Sequence, residues 1–536
     1  MRSLTLLVSI SCLLTTVARG DEGHQHKLTE KEFGSVHFLT SCAKDVEMEF
    51  NRAVALLHSF QYEQSREAFA RVAERDPKCA MAQWGIAMSH YHGLWGNSNF
   101  DAGRTAVRKA QELASSNPQT SAHDRAYIEA LAEIYREDGK SQAAHGQSFE
   151  QKMGEVQAAF PDDTEAAIFH ALTLAITAPK TDKTFANQRR CGEILEPVFA
   201  RQPNHPGVAH YIIHCYDNPV LAEKGLGAAR VYAKIAPASA HANHMPSHLF
   251  TRVGSWDESI ASNLRSKELA AAAESTSLNG EARDQRLHAM DYLEYAYLQT
   301  GRVKLAKAVL DEMNSLAPVK GLTLTGDYAA AAIPARHSLE LSHWEQAANL
   351  QPNPSEVPWA QAITWLAVGV GSARSGNIQR AQQAQTKLAS LRGESASTDA
   401  YWSNQIEVQR RELEAWIAEK TGKHADAIRT MRSAAELEES MDKHAVTPGA
   451  VIPAREMLAE LLKENQPQDA LIEYETVLKS APNRFNALYG AATAAEAAGN
   501  KTAASRYFQK LTEVAVGEER PELITARKKV ALTASK

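Results

Sequence analysis

The sequence predicts an all-α protein built from repeated pairs of antiparallel helices, and three observations lead to this prediction. Apolar residues recur at helical spacing along most of the 536 residues. Small and aromatic residues return after 34 positions near the C-terminus, as Ala470 and Ala504 show, and likewise Tyr474 and Phe508. No stretch has the alternating pattern of a β-strand. A period of about 34 residues is typical of helix pairs that stack side by side.

Composition and charge exclude several classes of function. The net charge is −6, and no run of basic residues is present that could hold a phosphate backbone. We therefore expect no nucleic-acid partner. Hydrophobic residues make up 44% of the chain, which is enough for a large core. Beyond the N-terminal leader no apolar stretch reaches the ~18 residues that a membrane-spanning helix needs, so we expect no membrane span.

Residues 1–20, MRSLTLLVSISCLLTTVARG, have the pattern of a secretory signal peptide. One arginine precedes an apolar run, and Ala18 and Gly20 have the small-residue spacing of a cleavage site, which places the cut before Asp21. We therefore expect a secreted protein.

Four cysteines follow the leader, namely Cys42, Cys79, Cys191 and Cys215. An even number in an oxidising compartment favours disulfides, and Cys42–Cys79 is the preferred pair because both residues lie near the starts of neighbouring helices. Cys215 directly follows His214, so a metal-ligand role is the alternative to a disulfide there.

Residues 46–77 show the repeat most clearly, with the sequence VEMEFNRAVALLHSFQYEQSREAFARVAERDP. Ala53 and Ser65 are small where two helices would approach each other. Phe69 follows four residues later, and Pro77 ends the second helix. The segment resembles a tetratricopeptide repeat. This resemblance implies a tetratricopeptide-type α-solenoid, a right-handed superhelix of antiparallel helix pairs in which the first helix of each pair lines a concave groove.

Two further stretches, HANHMPSHLFTR at 241–252 and PNRFNALYGAA at 482–492, are similar to stretches of exported bacterial tetratricopeptide proteins. This resemblance implies a bacterial protein of the periplasm, but it attaches no reaction to the chain.

Repeat matches of differing quality divide the chain into segments. The expected order is signal peptide 1–20, loose N-terminal segment 21–45, N-terminal repeats 46–97, inserted or degenerate helices 98–165, central repeats with the histidine-rich site 166–318, degenerate repeats 319–445, C-terminal repeats 446–520 and tail 521–536.

Histidines are concentrated where two full-length repeats follow each other. His210 and His214 lie four residues apart, as do His244 and His248, and the second pair follows the first by 34 residues. Residues four apart share a helix face, and equivalent places in stacked repeats share a wall. We therefore expect these four rings, with His241, to form one site.

The family resemblance assigns these positions to the groove. Counted from the first residue of each repeat, the paired histidines take the fifth and ninth places, which the family uses to hold ligands. Asp291 and Tyr295 take the same places in the next repeat, and His288 takes the second place, which also faces the groove. Further on, Arg336 takes a ninth place and Arg455 a fifth place.

Neutral imidazoles bind zinc, copper and iron, and a pair at i and i+4 can chelate one ion. We therefore expect a transition-metal site. Its expected ligands are His210, His214, His241, His244, His248, Asp217 and Asp291. Either aspartate could complete the ligand shell or orient a ring. The expected substrate-binding residues are Tyr295, His288, Arg336 and Arg455.

Two kinds of function follow from these residues. A metal site would permit an oxidase or a hydrolase, in which the metal polarises a substrate or activates water or oxygen. Arg336 or Arg455 could then hold an anionic group. Without metal, the same side chains would form a structural hydrogen-bond network, or a scaffold surface that binds a peptide or protein partner without catalysis. The sequence alone does not decide whether the protein is an enzyme.

Overall fold

The computed structural model describes residues 30–95, 98–274, 280–317, 322–352, 357–396 and 399–534. The expected signal peptide lies outside these residues. Within the described ranges every regular element is helical. Among these helices, none combines the length and the apolar character required to span a membrane.

The helices follow one another with short connections. The first fourteen are α1 Glu30–Phe33, α2 Glu47–His58, α3 Tyr62–Arg75, α4 Ala80–Met88, α5 Phe100–Ser116, α6 Ala122–Ala132, α7 Gln142–Ala159, α8 Thr164–Thr177, α9 Ala186–Arg201, α10 Pro206–Tyr216, α11 Leu226–Ile235, α12 Ala240–His244, α13 Pro246–Val253 and α14 Trp256–Ala273. The others are α15 Glu281–Gln299, α16 Val303–Ser315, α17 Leu324–Glu340, α18 Trp344–Ala348, α19 Pro358–Arg374, α20 Ile378–Ala396, α21 Ala400–Lys420, α22 His424–Glu439, α23 Ala454–Leu462, α24 Pro467–Ser480, α25 Phe485–Ala497, α26 Lys501–Val514 and α27 Pro521–Ala534. Short 3-10 helices occupy Lys44–Val46, Glu133–Tyr135 and Ala222–Gly225.

Consecutive helices pack against each other along the chain, for example α2 on α3, α7 on α8, α14 on α15 and α25 on α26. The prediction of an all-α solenoid of antiparallel helix pairs is therefore confirmed. Residues 98–165, expected as inserted or degenerate helices, form α5 to α7 and pack in sequence between α4 and α8.

Local chemistry sets many helix starts. The side chains of Asn99, Ser121 and Ser141 accept backbone N–H groups in the first turns of α5, α6 and α7. Such caps satisfy donors that have no partner inside the helix. Pro246 occupies the first position of α13 and separates it from α12, because proline cannot donate a backbone hydrogen bond.

Small residues are required where paired helices touch. A Cβ atom added at Gly85 of α4 would overlap the ring of Phe69 of α3. Gly490 of α25 has the same relation to Tyr474 of α24. Glycine and aromatic residue therefore fit each other at both ends of the solenoid.

The solenoid folds back on itself, so its interior is not an open groove. Trp256 Nε1 donates a hydrogen bond to the Asn483 carbonyl at 2.9 Å, which joins the start of α14 to the turn before α25. The backbone N–H of Val516 donates to the Thr300 carbonyl at 3.0 Å. These contacts hold the last helices against the middle of the chain.

Two terminal expectations are wrong. Residues 30–45 are not loose, since Phe33, Val36 and Phe38 are buried, with Phe38 among the aromatic rings of the N-terminal core. The segment 521–536 is not a free tail, since 521–534 form α27, whose Leu523 is fully buried. In both segments a few apolar residues provide enough buried area to fix a short, otherwise polar stretch.

The cysteines form two disulfides, Cys42–Cys79 and Cys191–Cys215. The first pair is the one that the sequence predicts. The second pair shows that the alternative role of Cys215, a metal ligand, is wrong.

We expect Gly85→Ala to lower the free energy of unfolding by about 1–3 kcal/mol, because the Phe69 ring is fully buried and cannot move away. The matched control is Gly393→Ala, since nothing lies within 4 Å of a Cβ atom at that helical position. The control should be neutral or stabilising by up to about 1 kcal/mol. Urea denaturation of the two variants measures both effects, and equal destabilisation would contradict the packing explanation.

Candidate metal centre

Six histidines from three parts of the solenoid meet in its interior. His210 and His214 lie on one face of α10, four residues apart. The other four come from α12, α13 and α15, and they are His241, His244, His248 and His288. All are buried except His214, which is partly buried.

The rings form two groups of three. In the first group, the Nε2 atom of His210 lies 3.0 Å from the Nε2 atoms of both His214 and His241. In the second group, the Nε2 atoms of His244 and His248 are 3.0 Å apart, and the His288 ring lies 4.1 Å from that of His244 between centroids. Within each group one ring nitrogen of every histidine lies within 4.8 Å of the others.

The two groups are neighbours. The centroids of the His214 and His248 rings are 6.2 Å apart, and those of His241 and His244 are 6.4 Å apart. The six imidazoles therefore line one continuous buried region, and each group offers three nitrogen atoms to it.

Three of the outer ring nitrogens have fixed partners. His210 Nδ1 donates to the His58 carbonyl at 2.6 Å, and His248 Nδ1 donates to Asp217 Oδ2 at 2.9 Å. His244 Nδ1 donates to Asn263 Oδ1 at 2.7 Å. The orientation of that amide is set by its nitrogen, which donates to the Ser259 carbonyl at 2.8 Å.

These partners determine where the protons are. A carbonyl, an amide oxygen and a carboxylate can only accept, so the Nδ1 atoms of His210, His244 and His248 carry the proton. In a neutral imidazole the Nε2 atom is then a bare lone pair. His244 Nε2 and His248 Nε2 thus face each other at 3.0 Å with no hydrogen atom between them. Two lone pairs at this distance repel each other. A cation bound between them would replace this repulsion by attraction of both nitrogens to the cation.

Protonation does not relieve the repulsion, because burial disfavours the charged imidazolium. Burial lowers the pKa of His210 to about 3. It also lowers the pKa values of His244 and His248, although Asp217 raises that of His248 in part. The neutral rings are the form in which imidazole binds metal, and the donor set therefore fits a transition metal.

Asp217 supports the centre from outside. Burial alone would raise the pKa of its carboxyl, but Lys443 and Arg252 hold that pKa well below its usual range. Lys443 Nζ lies 2.6 Å from one carboxylate oxygen and Arg252 Nε lies 2.9 Å from the other. The aspartate thus orients the His248 ring while two cations neutralise its charge.

Aromatic side chains cover the first group. The Phe60 ring lies 4.4 Å from that of His210 and 5.4 Å from that of His241. Phe60 has φ 53° in the turn between α2 and α3, a conformation that is costly for a bulky residue and is common at functional sites. Trp95 packs edge-on against both Phe60 and His241.

A cavity of about 180 Å³ adjoins both groups. His241 lines it from the first group, and His244 and His288 line it from the second. The remaining lining residues are Tyr62, His92, Trp95, Ser266, Glu281, Asp284, Gln285, Thr323 and Thr325. A small molecule in this cavity would therefore lie at the edge of both groups.

The structure does not bring every expected site residue to the centre. Asp291, expected as a ligand, is paired at 2.5 Å with Arg336, expected to bind substrate. Both are fully buried, and each needs the opposite charge. The Tyr295 hydroxyl accepts from Arg484 at 3.1 Å, and Arg455 pairs with Glu439 and Glu473. His288, also expected to bind substrate, lies in the second imidazole group instead.

Sequence reasoning missed three residues of the centre: Phe60, Asn263 and Tyr292. The Tyr292 hydroxyl lies 3.3 Å from His248 Nδ1 and donates to the Thr447 carbonyl at 2.9 Å. Tyr292 was detectable, because it follows His288 by four residues and shares its helix face. The roles of Phe60 and Asn263 carry no comparable signal.

A second buried histidine cluster has a different character. His58 Nε2 lies 2.9 Å from one oxygen of Glu165, and His205 Nε2 lies 2.7 Å from the other. The Tyr211 hydroxyl is 2.9 Å from His58 Nδ1, and the Val208 N–H donates to His205 Nδ1. Each ring has one donor contact and one acceptor contact here, so this network is complete without a metal ion.

Comparisons with known proteins bear on the repeats. The sequence profile of the tetratricopeptide repeat matches residues 50–118 and 459–516. The chain carries tetratricopeptide repeats. The first matched repeat region includes Phe60, whereas the repeats around α10 to α15 lie between the matched regions. A comparison with curated protein sequences finds no match.

Solved structures show distant likenesses. A structure described as the human IFIT1 dimer with PPP-AAAA has a TM-score of 0.35 and 12% identity, and the match covers 86% of this chain and 88% of that one. Yeast Tom70 has a TM-score of 0.32 and 11% identity, covering 85% of this chain and 96% of the other.

We expect Glu165→Gln to lower the free energy of unfolding near neutral pH by about 3 kcal/mol. Burial would raise the pKa of Glu165, but His205 and His58 lower it from 4.5 to about 2, and a shift of this size corresponds to about that energy. Since the folded-state pKa is the lower one, the wild-type advantage is complete above about pH 4.5 and disappears towards about pH 2.

Urea denaturation at about pH 7 and about pH 3.5 checks this dependence, with the exposed Glu129→Gln as the control. The network would be contradicted by a Glu165→Gln effect of the same size at both pH values.

Proposed function

We propose that the protein binds two transition-metal ions in its interior, one in each group of three imidazoles. The observation that carries this proposal is the lone-pair contact of His244 Nε2 and His248 Nε2 at 3.0 Å, with both Nδ1 protons committed elsewhere. An amide oxygen and a carboxylate that accept the outer ring proton are partners by which metal-binding imidazoles fix their orientation.

Copper is the metal that the charge of the site favours. Imidazole nitrogen suits zinc, copper and iron alike. The six nitrogen donors are neutral, and the Asp217 charge is already balanced by Lys443 and Arg252. Two divalent ions would therefore place a total charge of about +4 in a buried region without compensation. Two cuprous ions would place only about +2 there, and burying the smaller charge costs less free energy.

The reaction that we propose is the oxidation of a small organic molecule by dioxygen. A copper pair supplies electron transfer to dioxygen when bound. The chain's own contribution is to present His241, His244 and His288 to the cavity of about 180 Å³. Phe60 and Trp95 cover one side of the first group, and limiting the access of water strengthens the electrostatic interactions inside a site.

Two carboxyl groups on the cavity wall are suited to exchange protons with a substrate. Burial raises the pKa of Asp284 to about 7, although backbone N–H groups of Thr323 and Gly326 lower it in part. Burial and the neighbouring Glu63 raise the pKa of Glu281 to about 7. A group whose pKa lies near the working pH can both accept and donate a proton.

Export to an oxidising compartment is part of the same proposal. Two disulfides in one chain are typical of secreted proteins and rare in the cytosol. Together with the N-terminal leader pattern, they favour the periplasm or another extracytoplasmic space.

We expect purified protein, loaded anaerobically with cuprous ion, to retain about two copper ions per chain, because two groups of three imidazoles are present. His210→Ala and His248→Ala should each lose about one ion, and the double variant should lose both. Mass spectrometric metal analysis and a chromophoric copper competitor measure these contents. His424→Ala is the matched control, since that ring is bonded to Glu419 far from the centre.

Equal copper content in the double variant and the wild type would contradict the proposal of a metal centre. If the protein retains zinc in preference to copper, with the same dependence on His210 and His248, the proposed oxidase function would be replaced by a hydrolase function. Both outcomes require that the variants keep the wild-type helical signal in circular dichroism.

We expect Asn263→Ala to weaken metal binding at the second group alone, by about 10–100-fold, because His244 then loses the acceptor that fixes its ring. The first group should keep its affinity, since its His210 ring is held by the His58 carbonyl. Stepwise titration with a metal competitor resolves the two sites. The exposed Asn404→Ala is the control, and an equal loss at both sites would contradict the assigned roles.

A further inference from the structure

A second, larger cavity of about 450 Å³ is lined mainly by the C-terminal half of the solenoid, with a few residues from 183–252. One face of α21 forms a wall, with Trp402, Val408, Gln409 and Glu412. The end of α22 and the loop 441–453 close other sides. None of the six histidines lines this cavity, although Arg252 and Lys443, which pair with Asp217 beside the metal centre, do. The cavity is much larger than a single ion requires.

Unpaired acceptor groups face this cavity. Glu412 is 2% exposed, and no hydrogen bond or ion pair to its carboxyl is found in the described part of the chain. One turn earlier, the Oε1 atom of Gln409 is buried without a hydrogen-bond partner. Glu438 also lines the cavity, and one of its oxygens accepts the Ala454 N–H at 3.0 Å. Buried acceptors are normally paired, so this cluster requires a donor.

The cations of the protein do not supply that donor. Of those that line the cavity, Arg252 and Lys443 are paired with Asp217, and Lys183 is exposed to solvent. Arg455 is paired with Glu439 and Glu473. Arg484 is paired with Glu340 and Glu456. Both guanidinium groups are thus already engaged by two carboxylates each.

Burial without a cationic partner affects the pKa values of the Glu412 and Glu438 carboxyl groups. Burial, and then the charge of Glu438, raises the pKa of Glu412. Burial also raises the pKa of Glu438 to about 7. A positively charged ligand would stabilise both carboxylates at once, because opposite charges within a few ångströms favour ionisation.

We propose that this cavity binds an alkylammonium or alkylguanidinium group, with Glu412, Glu438 and Gln409 as its acceptors. The aliphatic stem lies along Val408 and Leu366, which are 2% exposed in the protein and line the same cavity. An organic cation fits better than a metal ion, since the volume of about 450 Å³ and the apolar walls leave space for carbon atoms. Lysine and arginine side chains of a peptide, and free amines, share this chemistry.

The test compares ligands that differ only in the terminal group. Isothermal titration calorimetry of the full-length protein is performed with N-acetyl-lysine methylamide, N-acetyl-norleucine methylamide and pentylamine. We expect the lysine derivative to bind at least about tenfold more tightly than the norleucine derivative, because charge-assisted hydrogen bonds are lost with the ammonium. Binding of pentylamine alone would identify a free amine as the ligand. A preference for N-acetyl-lysine methylamide would identify a lysine side chain of a peptide as the ligand.

Glu412→Gln should reduce this binding at least about tenfold. Glu414→Gln on the opposite, exposed face of α21 is the matched control and should bind as the wild type does. The Glu412→Gln variant should fold with an unchanged or higher thermal midpoint, because a buried, unpaired carboxyl is removed.

Equal affinity for the lysine and norleucine derivatives would overturn the proposal, as would unchanged binding in folded Glu412→Gln. No binding of any amine would mean that the two carboxyls share a proton and take no cation. Copper content, which should be the same in all variants of this cavity, separates these outcomes from a failure of the metal centre.

Discussion

The centre depends on the commitment of three Nδ1 protons to fixed acceptors. His210, His244 and His248 each donate to an oxygen that can only accept, and their Nε2 lone pairs are therefore directed inwards. These acceptors belong to different helix pairs, since the His58 carbonyl ends α2 and Asn263 lies in α14. The stacking of repeats thus sets the proton positions, and the proton positions leave the lone pairs on which the proposed metal binding rests.

The fold-back of the chain completes this environment. Lys443 reaches Asp217 from 226 residues away at 2.6 Å, and the Thr447 carbonyl accepts from Tyr292 beside His248. An open groove would leave the histidines in water, where each could exchange protons freely. Enclosure removes water, keeps the rings neutral and makes their lone pairs available to a metal. It also explains why a loop between two late helices contributes to a centre in the middle of the chain.

The 34-residue register was enough to predict the helical repeats and to bring His210, His214, His244 and His248 to one region. The register could not predict which of these rings belong to each group of three, because the break at Pro246 and the packing of α15 decide which rings meet. Asp291 occupies the equivalent place in the next repeat, yet its partner is Arg336. Equivalent positions share a direction, but their chemistry depends on side chains far away in sequence. Phe60 and Asn263 were missed for this reason.

The molecule contains two buried histidine clusters, and they differ in whether each ring nitrogen has a hydrogen-bond partner of the right kind. Around Glu165 the carboxylate accepts from both His58 and His205, and Tyr211 and Val208 complete the rings. The six-histidine centre is buried in a similar way, but its balance of donors and acceptors differs. Around Glu165, the Nε2 protons of both rings are donated to the carboxylate. In the larger cluster the Nδ1 protons of His210, His244 and His248 are donated outwards, so the Nε2 lone pairs of His244 and His248 face each other with no donor between them.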